Sequence, residues 1–295
     1  MASLPEDAIP PSPAAATPPA HTVVRRVVYR HTLPLRIMHW INAICLLILL
    51  GSGLQIFNAH PALYWGQASH FDRPWLSLGA TRANTGELRG VTQMGSHRFD
   101  TTGWFGVSKV DGRATVRGFP SWATIPGSRW LSMGRAWHFF FAWLFAINGV
   151  LFVLYALWTR HLTRDLVPTR HDWRGIGRSI VDHALLRHPH GEEAARYNVL
   201  QRLAYLVVIF VFGGGVVLMG LAMSPRMDSV LGWLVDAVGG RQSARSIHFL
   251  FAMGFIAFFL IHIFEVIVTG VGNNLRSIIT GRYAIETEVR DETHQ

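Results

Sequence analysis

The sequence predicts an all-α membrane protein: a four-transmembrane-helix bundle with an ordered periplasmic loop between helices 1 and 2. Three observations carry that prediction. Half of the 295 residues are hydrophobic and only 15% are charged, whereas a soluble domain carries about a quarter charged residues. The apolar residues gather in four stretches, 37–57, 136–158, 203–223 and 247–269, each long enough for the roughly 20 helical residues that cross a bilayer. The ionisable side chains in those stretches are Cys45, two tyrosines, Glu265 and four histidines, and nothing else.

In chain order, residues 1–22 open with the Pro/Ala-rich MASLPEDAIPPSPAAATPPA and read as a disordered tail. Glu6 and Asp7 stand where a signal peptide would carry basic residues, so the first span directs its own insertion. The bundle occupies 23–285, and 286–295 read as a C-terminal tail. Arg25, Arg26, Arg30 and Arg36 crowd the approach to the first span, and the 159–202 loop holds eight arginines, whereas the connection before the fourth span has only Arg226, Arg241 and Arg245. That asymmetry predicts a protein of the bacterial inner membrane with both termini in the cytoplasm. The loop at 59–133 then lies in the periplasm; its Asp111-Gly112 and Pro126-Gly127 turn signals predict a cap of short strands and turns. Within the cytoplasmic loop, Arg174–Arg187 has its apolar residues at helical spacing and predicts an amphipathic helix on the membrane face.

Composition excludes several function classes. The net charge is +9, and Lys109 is the sole lysine. The arginines flank apolar runs, where anionic lipid headgroups, not nucleic acid, are the partner. With Cys45 as the single cysteine, intrachain disulfides, zinc fingers, iron–sulfur clusters and covalently attached haem are all ruled out. No nucleotide fingerprint or nucleophile constellation is present, so the chain is read as a subunit, not as a catalyst on its own.

The chemistry rests on His39, His138, His248 and His262, since a titratable group in the bilayer is costly and usually functional. His248 and His262 are 14 residues apart on one span; at about 100° per residue they share a face, and at about 1.5 Å rise they are separated by about 21 Å. One therefore lies near each leaflet. His39 begins the first span and His138 the second, which run in opposite directions. Two pairs at matching depths result: His39 with His262 on the cytoplasmic side, and His138 with His248 on the periplasmic side. Paired neutral imidazoles between helices suit the two axial positions of a haem iron, whereas zinc wants more ligands.

Arg36, Arg135 and Arg245 each stand three residues before one of these histidines. An i, i+3 pair shares a helix face, so each guanidinium lies a turn nearer water, suited to a haem propionate by bidentate pairing. Glu265 shares the face of His262 and is a candidate proton group beside a quinone. Gly213-Gly214-Gly215 is read either as a haem-facing backbone or as a helix-packing stripe. His31, and the loop histidines His60, His70, His97, His161, His171, His183, His188 and His190, are read as solvated or non-ligating.

The segments YRHTLPLRIMHWIN, SGLQIFNAHPALYWG, GRAWHFFFAWLFAINGV, GEEAARYNVLQ and GGRQSARSIHF, with this histidine layout, resemble the bacterial cytochrome b561 and nickel-hydrogenase cytochrome b family. They are most similar to the thiosulfate-reductase-type di-haem cytochrome b subunits. The resemblance implies two non-covalent b-type haems, one held by His39 and His262 and the other by His138 and His248. It also implies electron exchange with quinone or quinol, and a periplasmic molybdopterin-dependent oxidoreductase as partner. Two rivals are weighed against this: a stand-alone quinone-linked cytochrome b, and a proton-coupled transporter built on intramembrane histidines.

Overall fold

In the computed structural model, residues 21–110, 112–127, 129–185 and 198–290 are described. The chain runs through β1 (His21–Tyr29), α1 (Leu33–Phe57), β2 (Ala62–Leu63), β3 (Leu76–Arg82), β4 (Leu88–Met94), β5 (His97–Asp100), β6 (Val107–Val110) and β7 (Arg113–Val116). It continues through α2 (Leu131–Trp158), α3 (Arg170–Arg174), α4 (Ile176–Ala184), α5 (Val199–Leu206), α6 (Gly214–Ala222), α7 (Asp228–Ala237), α8 (Arg241–Val268), α9 (Val271–Thr280) and β8 (Arg282–Arg290). Among the described residues, four helical segments are long and apolar enough to cross a membrane: α1, α2, Val199–Ala222 and α8. Each is apolar around most of its circumference, as a helix surrounded by lipid and protein should be.

The helices start where local chemistry lets them. A proline in the first turn of α1 fits a position whose N–H has no helical partner. At α5, Asn198 and Gln201 form a reciprocal capping box, with Asn198 Oδ1 accepting from the Gln201 amide at 2.8 Å. Between α5 and α6 the third span widens into a π-helical stretch, Val207–Gly213; such stretches occur often at functional sites. The bundle is built of two packed couples, α1 against α2 and α6 against α8. Asn148 of α2 ties the first couple, donating to Met38 O at 2.9 Å and to Asn42 Oδ1 at 2.8 Å.

The expectation of an all-α chain is corrected: eight strands are present among the described residues. Six of them, β2–β7, lie in the 59–133 segment as a four-stranded sheet in the order β2-β3-β4-β5 and a β6–β7 hairpin. This cap packs on the end of α1, where Leu54 and Phe57 join Leu63, Leu78 and Phe119 in a buried cluster. It is also latched to α8. Trp75 Nε1 donates to Ser246 Oγ at 2.9 Å, Ser246 Oγ donates to Tyr64 O at 2.7 Å, and the Gly66 amide donates to Ser243 Oγ at 2.8 Å. Gly240, with φ 125°, begins α8 so close to Gly66 that a Cβ there would stand 2.5 Å from the Gly66 carbonyl; only glycine fits.

The other two strands correct the tail assignments. β1 and β8 pair antiparallel from His21↔Arg290 to Tyr29↔Arg282, so residues 21–22 and 286–290 belong to a ribbon and not to tails. The physical reason is that Val23, Val24, Val27 and Val28 meet a partner strand at the far end of the sequence, which no local periodicity reveals. The remaining tail residues, 1–20 and 291–295, lie outside the described residues, as do His188 and His190. The amphipathic segment predicted at Arg174–Arg187 is α4, preceded by α3 with a Thr169–Asp172 capping box; its last two residues lie outside the described part.

Candidate functional site

α8 projects both of its histidines toward the α1–α2 couple. His248 meets His138 of α2, with ring centroids 6.1 Å apart and planes at 61°. Nearer the β1–β8 ribbon, His262 meets His39 of α1 at 6.4 Å and 56°. Two imidazoles bound trans to one metal, with bonds of about 2 Å and about 1 Å more from nitrogen to ring centre, have centroids about 6 Å apart. Both pairs match that separation. Among the described residues, no third His, Cys, Asp or Glu joins either pair. A donor set of two imidazoles suits a macrocycle that brings its own equatorial ligands, and does not suit a structural zinc ion.

The tautomers at the first pair are set by fixed partners. The Val216 carbonyl can only accept, so His248 carries its hydrogen on Nδ1, 2.9 Å from that oxygen. Ser52 Oγ donates to Ile48 O at 2.6 Å and therefore accepts from His138 Nδ1 at 3.1 Å. Both Nε2 lone pairs are left free, the arrangement that metal-bound histidines adopt. Gly53 and Gly220 flank these rings: a Cβ on either would stand 3.3 Å from His138 Cε1 or 3.4 Å from His248 Cε1. At the second pair, His39 Nδ1 is buried with no hydrogen-bond partner. Trp40 stands edge-on to the His39 ring at 5.5 Å, and Phe258 stacks on His262 at 5.7 Å.

Between the two levels the bundle closes with phenylalanines. Phe255 of α8 meets Phe145 of α2 at 6.1 Å and Phe212 of the third span at 5.9 Å, and Phe212 also meets Phe251 at 6.2 Å. The stripe His248, Phe251, Phe255, Phe258, His262 thus uses one face of α8, with aromatic rings filling the interval between the imidazole pairs.

The other predicted residues are placed as follows. Arg36 donates through Nη1 to the Ile279 carbonyl of α9. Arg245 donates through Nη2 to His60 O at 2.6 Å and lies over the Phe57 ring. The exposed Arg135 lies over Phe139. Glu265 is half-buried on α8, one turn beyond His262. Of the glycine triplet, Gly215 is a packing position, where a Cβ would come 2.4 Å from the Phe251 ring. The glycines beside the histidines, Gly53 and Gly220, are not among those singled out from sequence.

Two solvated readings are corrected. His60 is half-buried, stacks on Tyr64 and shares a 3.0 Å hydrogen bond between Nε2 and its hydroxyl; burial, and then Arg245, pushes its pKa down. His161 bonds Asp165 Oδ2 at 2.7 Å. At His31, burial and the neighbouring Arg30 hold the pKa at about 4. Sequence reasoning also missed Arg117, in the cap and only 1% exposed, whose Nη2 donates to Gln55 Oε1 at 2.9 Å and Thr124 Oγ1 at 2.6 Å. No local pattern marks an arginine that folding will bury.

Comparison with known proteins supplies the family. A family model described as prokaryotic cytochrome b561 matches residues 30–281. A curated relative from Azospira oryzae, "Putative protein-methionine-sulfoxide reductase subunit YedZ1", is 28% identical over 138 residues, which are 45% of this chain. The match spans 65% of that relative's length. No solved structure matches the chain.

Proposed function

The chain belongs to the prokaryotic cytochrome b561 family and is a transmembrane haem-b electron-transfer subunit; from that premise we propose that it carries two b-type haems and conducts electrons between quinone and a periplasmic redox subunit. The observation that carries the proposal is the pair of imidazole couples, 6.1 and 6.4 Å between centroids, on opposite ends of α8. His138 and His248 hold one haem iron on the periplasmic side, and His39 and His262 hold the other on the cytoplasmic side. Bound there, each haem supplies a one-electron carrier.

The chain's own residues supply ligation, orientation and insulation. Ser52 and Val216 fix the Nδ1–H tautomers and raise the basicity of the coordinating nitrogens. Gly53 and Gly220 leave the ring flanks clear, and the Phe145–Phe255–Phe212 cluster excludes water between the two levels. Arg36, Arg135 and Arg245, each a turn nearer water than a ligating histidine, receive propionates.

Quinone exchanges electrons at the cytoplasmic level. An apolar groove of about 360 Å³ runs there beside α1 and α9, lined by Ile37, Trp40, Ile41 and Ile44 with Arg36 at its rim; Glu265, one turn beyond His262 on α8, serves as the proton group. The partner subunit is a periplasmic molybdopterin-dependent oxidoreductase that docks on the β2–β7 cap. The likeness to a relative described as a reductase subunit supports a partnered rather than stand-alone role. The orientation is that of the arginine asymmetry, with both termini in the cytoplasm of a bacterial inner membrane.

The test is His248→Ala. It leaves one haem per chain and abolishes electron transfer from a quinol analogue to an acceptor on the cap side; retention of both haems would refute the assignment.

A further inference from the structure

Arg117 is anomalous on physical grounds. It is 1% exposed, and two of its guanidinium nitrogens, Nε and Nη1, are buried without a partner. The partners it does have, Gln55 and Thr124, are neutral. Among the described residues no carboxylate pairs with it. A guanidinium keeps its charge even here, and a buried charge without a counter-ion is expensive. Its two hydrogen bonds tie the cap to α1, a task that does not need a charge.

Its position gives the charge a use. Gln55 lies one turn beyond Ser52 on α1, and Ser52 is hydrogen-bonded to His138. Thr124 precedes Ile125, whose amide donates to Gly51 O at 3.0 Å and whose side chain lies against Gly51. Gly134, a turn before His138, packs on the Gln55 side chain. The guanidinium is therefore fixed a turn or two from His138, on the cap side, and more than half of the bundle away from His39 and His262. Its side chain is out of contact with water, so its field is less screened than that of a surface arginine.

We propose that Arg117 is a positioning residue for redox energy: its buried charge raises the reduction potential of the haem at His138 and His248 and leaves that of the haem at His39 and His262 in place. Reduction adds one negative charge to the iron centre, and a nearby cation favours the reduced form. Electrons entering at the cytoplasmic level are thereby drawn toward the cap. The inference rests on the di-haem reading of the preceding subsection. For an assumed separation of about 12 Å and an effective dielectric of about 20, one unit charge moves a one-electron equilibrium about tenfold, or about 60 mV.

The experiment is a spectroelectrochemical titration of the purified full chain and of three variants, Arg117→Gln, Arg117→Lys and Gln55→Glu. Haem content is measured on the same samples, and the two potentials are assigned with His39→Ala, which removes the other site. Arg117→Gln is expected to lower one potential by about the tenfold shift and leave the other in place, while Arg117→Lys stays near the parent. Gln55→Glu sets a carboxylate against the guanidinium without removing it and produces the same drop, so it carries the test if Arg117→Gln does not fold. Two haems with both potentials unmoved in either neutralised variant, or a drop in Arg117→Lys equal to that in Arg117→Gln, would overturn the inference. Fewer than two haems in the parent chain would instead overturn the di-haem reading beneath it.

Discussion

Removing a single hydroxyl, Ser52→Ala, should weaken one haem site and spare the other. Ser52 is completely buried, and its Oγ accepts from His138 Nδ1 at 3.1 Å while donating to Ile48 O. Without it the His138 ring keeps only its hydrogen bond to the Leu49 backbone, and a lost hydrogen bond costs about 0.5–1.5 kcal/mol. If that penalty falls on the ligated state, affinity for the haem at His138 and His248 drops about 2- to 13-fold, reaching the lower end of the roughly 10- to 100-fold effect usual for a ligand's supporting partner. The imidazole also becomes a weaker donor to ferric iron, so the potential of this haem rises. Haem release to an excess of apo-myoglobin, followed spectrally, separates the two sites by rate. Ser52→Ala should release one haem per chain fast and the other slowly. Unchanged release at both sites, or equal acceleration at both, would refute it.

Three further outcomes follow from the same geometry. Gly220→Ala fits, its Cβ in ordinary contact with His248 at 3.4 Å, whereas Gly220→Val overpacks the ring by about 1–3 kcal/mol; haem occupancy at His138 and His248 should fall only in the valine variant. Ser246→Ala strands the Trp75 indole N–H and the Tyr64 carbonyl, lowering thermal stability by about 1–3 kcal/mol while both haems remain; loss of a haem would contradict it. His31, held neutral with a pKa of about 4 against an ordinary 6.5, binds fewer protons folded than unfolded between those values. Its stabilising contribution is therefore complete above about pH 6.5 and is lost as the pH falls toward 4; melting curves at pH 7.5 and 5 should diverge less in His31→Gln than in the parent.

The four spans were legible because their signal is local: about 20 consecutive apolar residues need no tertiary partner to be recognised. The histidine pairing was legible because a helix has a fixed rise and twist, so a spacing of 14 residues on α8 determines both face and depth. What stayed hidden depends on distant contacts. β1 and β8 are at opposite ends of the chain, and a valine-rich stretch beside a Pro/Ala tail does not announce its partner. The supports of the histidines are a serine hydroxyl and a backbone carbonyl, Ser52 and Val216, which carry no residue-type signature. Arg245 reads as a flanking cation until His60 O is found in its reach. Arg117 reads as one loop arginine among several until the cap folds over it.

The central claim is that two imidazole couples each grip an iron porphyrin. The most direct test is the haem-to-chain ratio of the purified protein by pyridine haemochrome, joined to the low-temperature spectrum of the oxidised form. The account predicts two non-covalent b-type haems per chain, both low-spin with two histidine ligands. A single haem, a high-spin iron at either site, or colourless protein would contradict it.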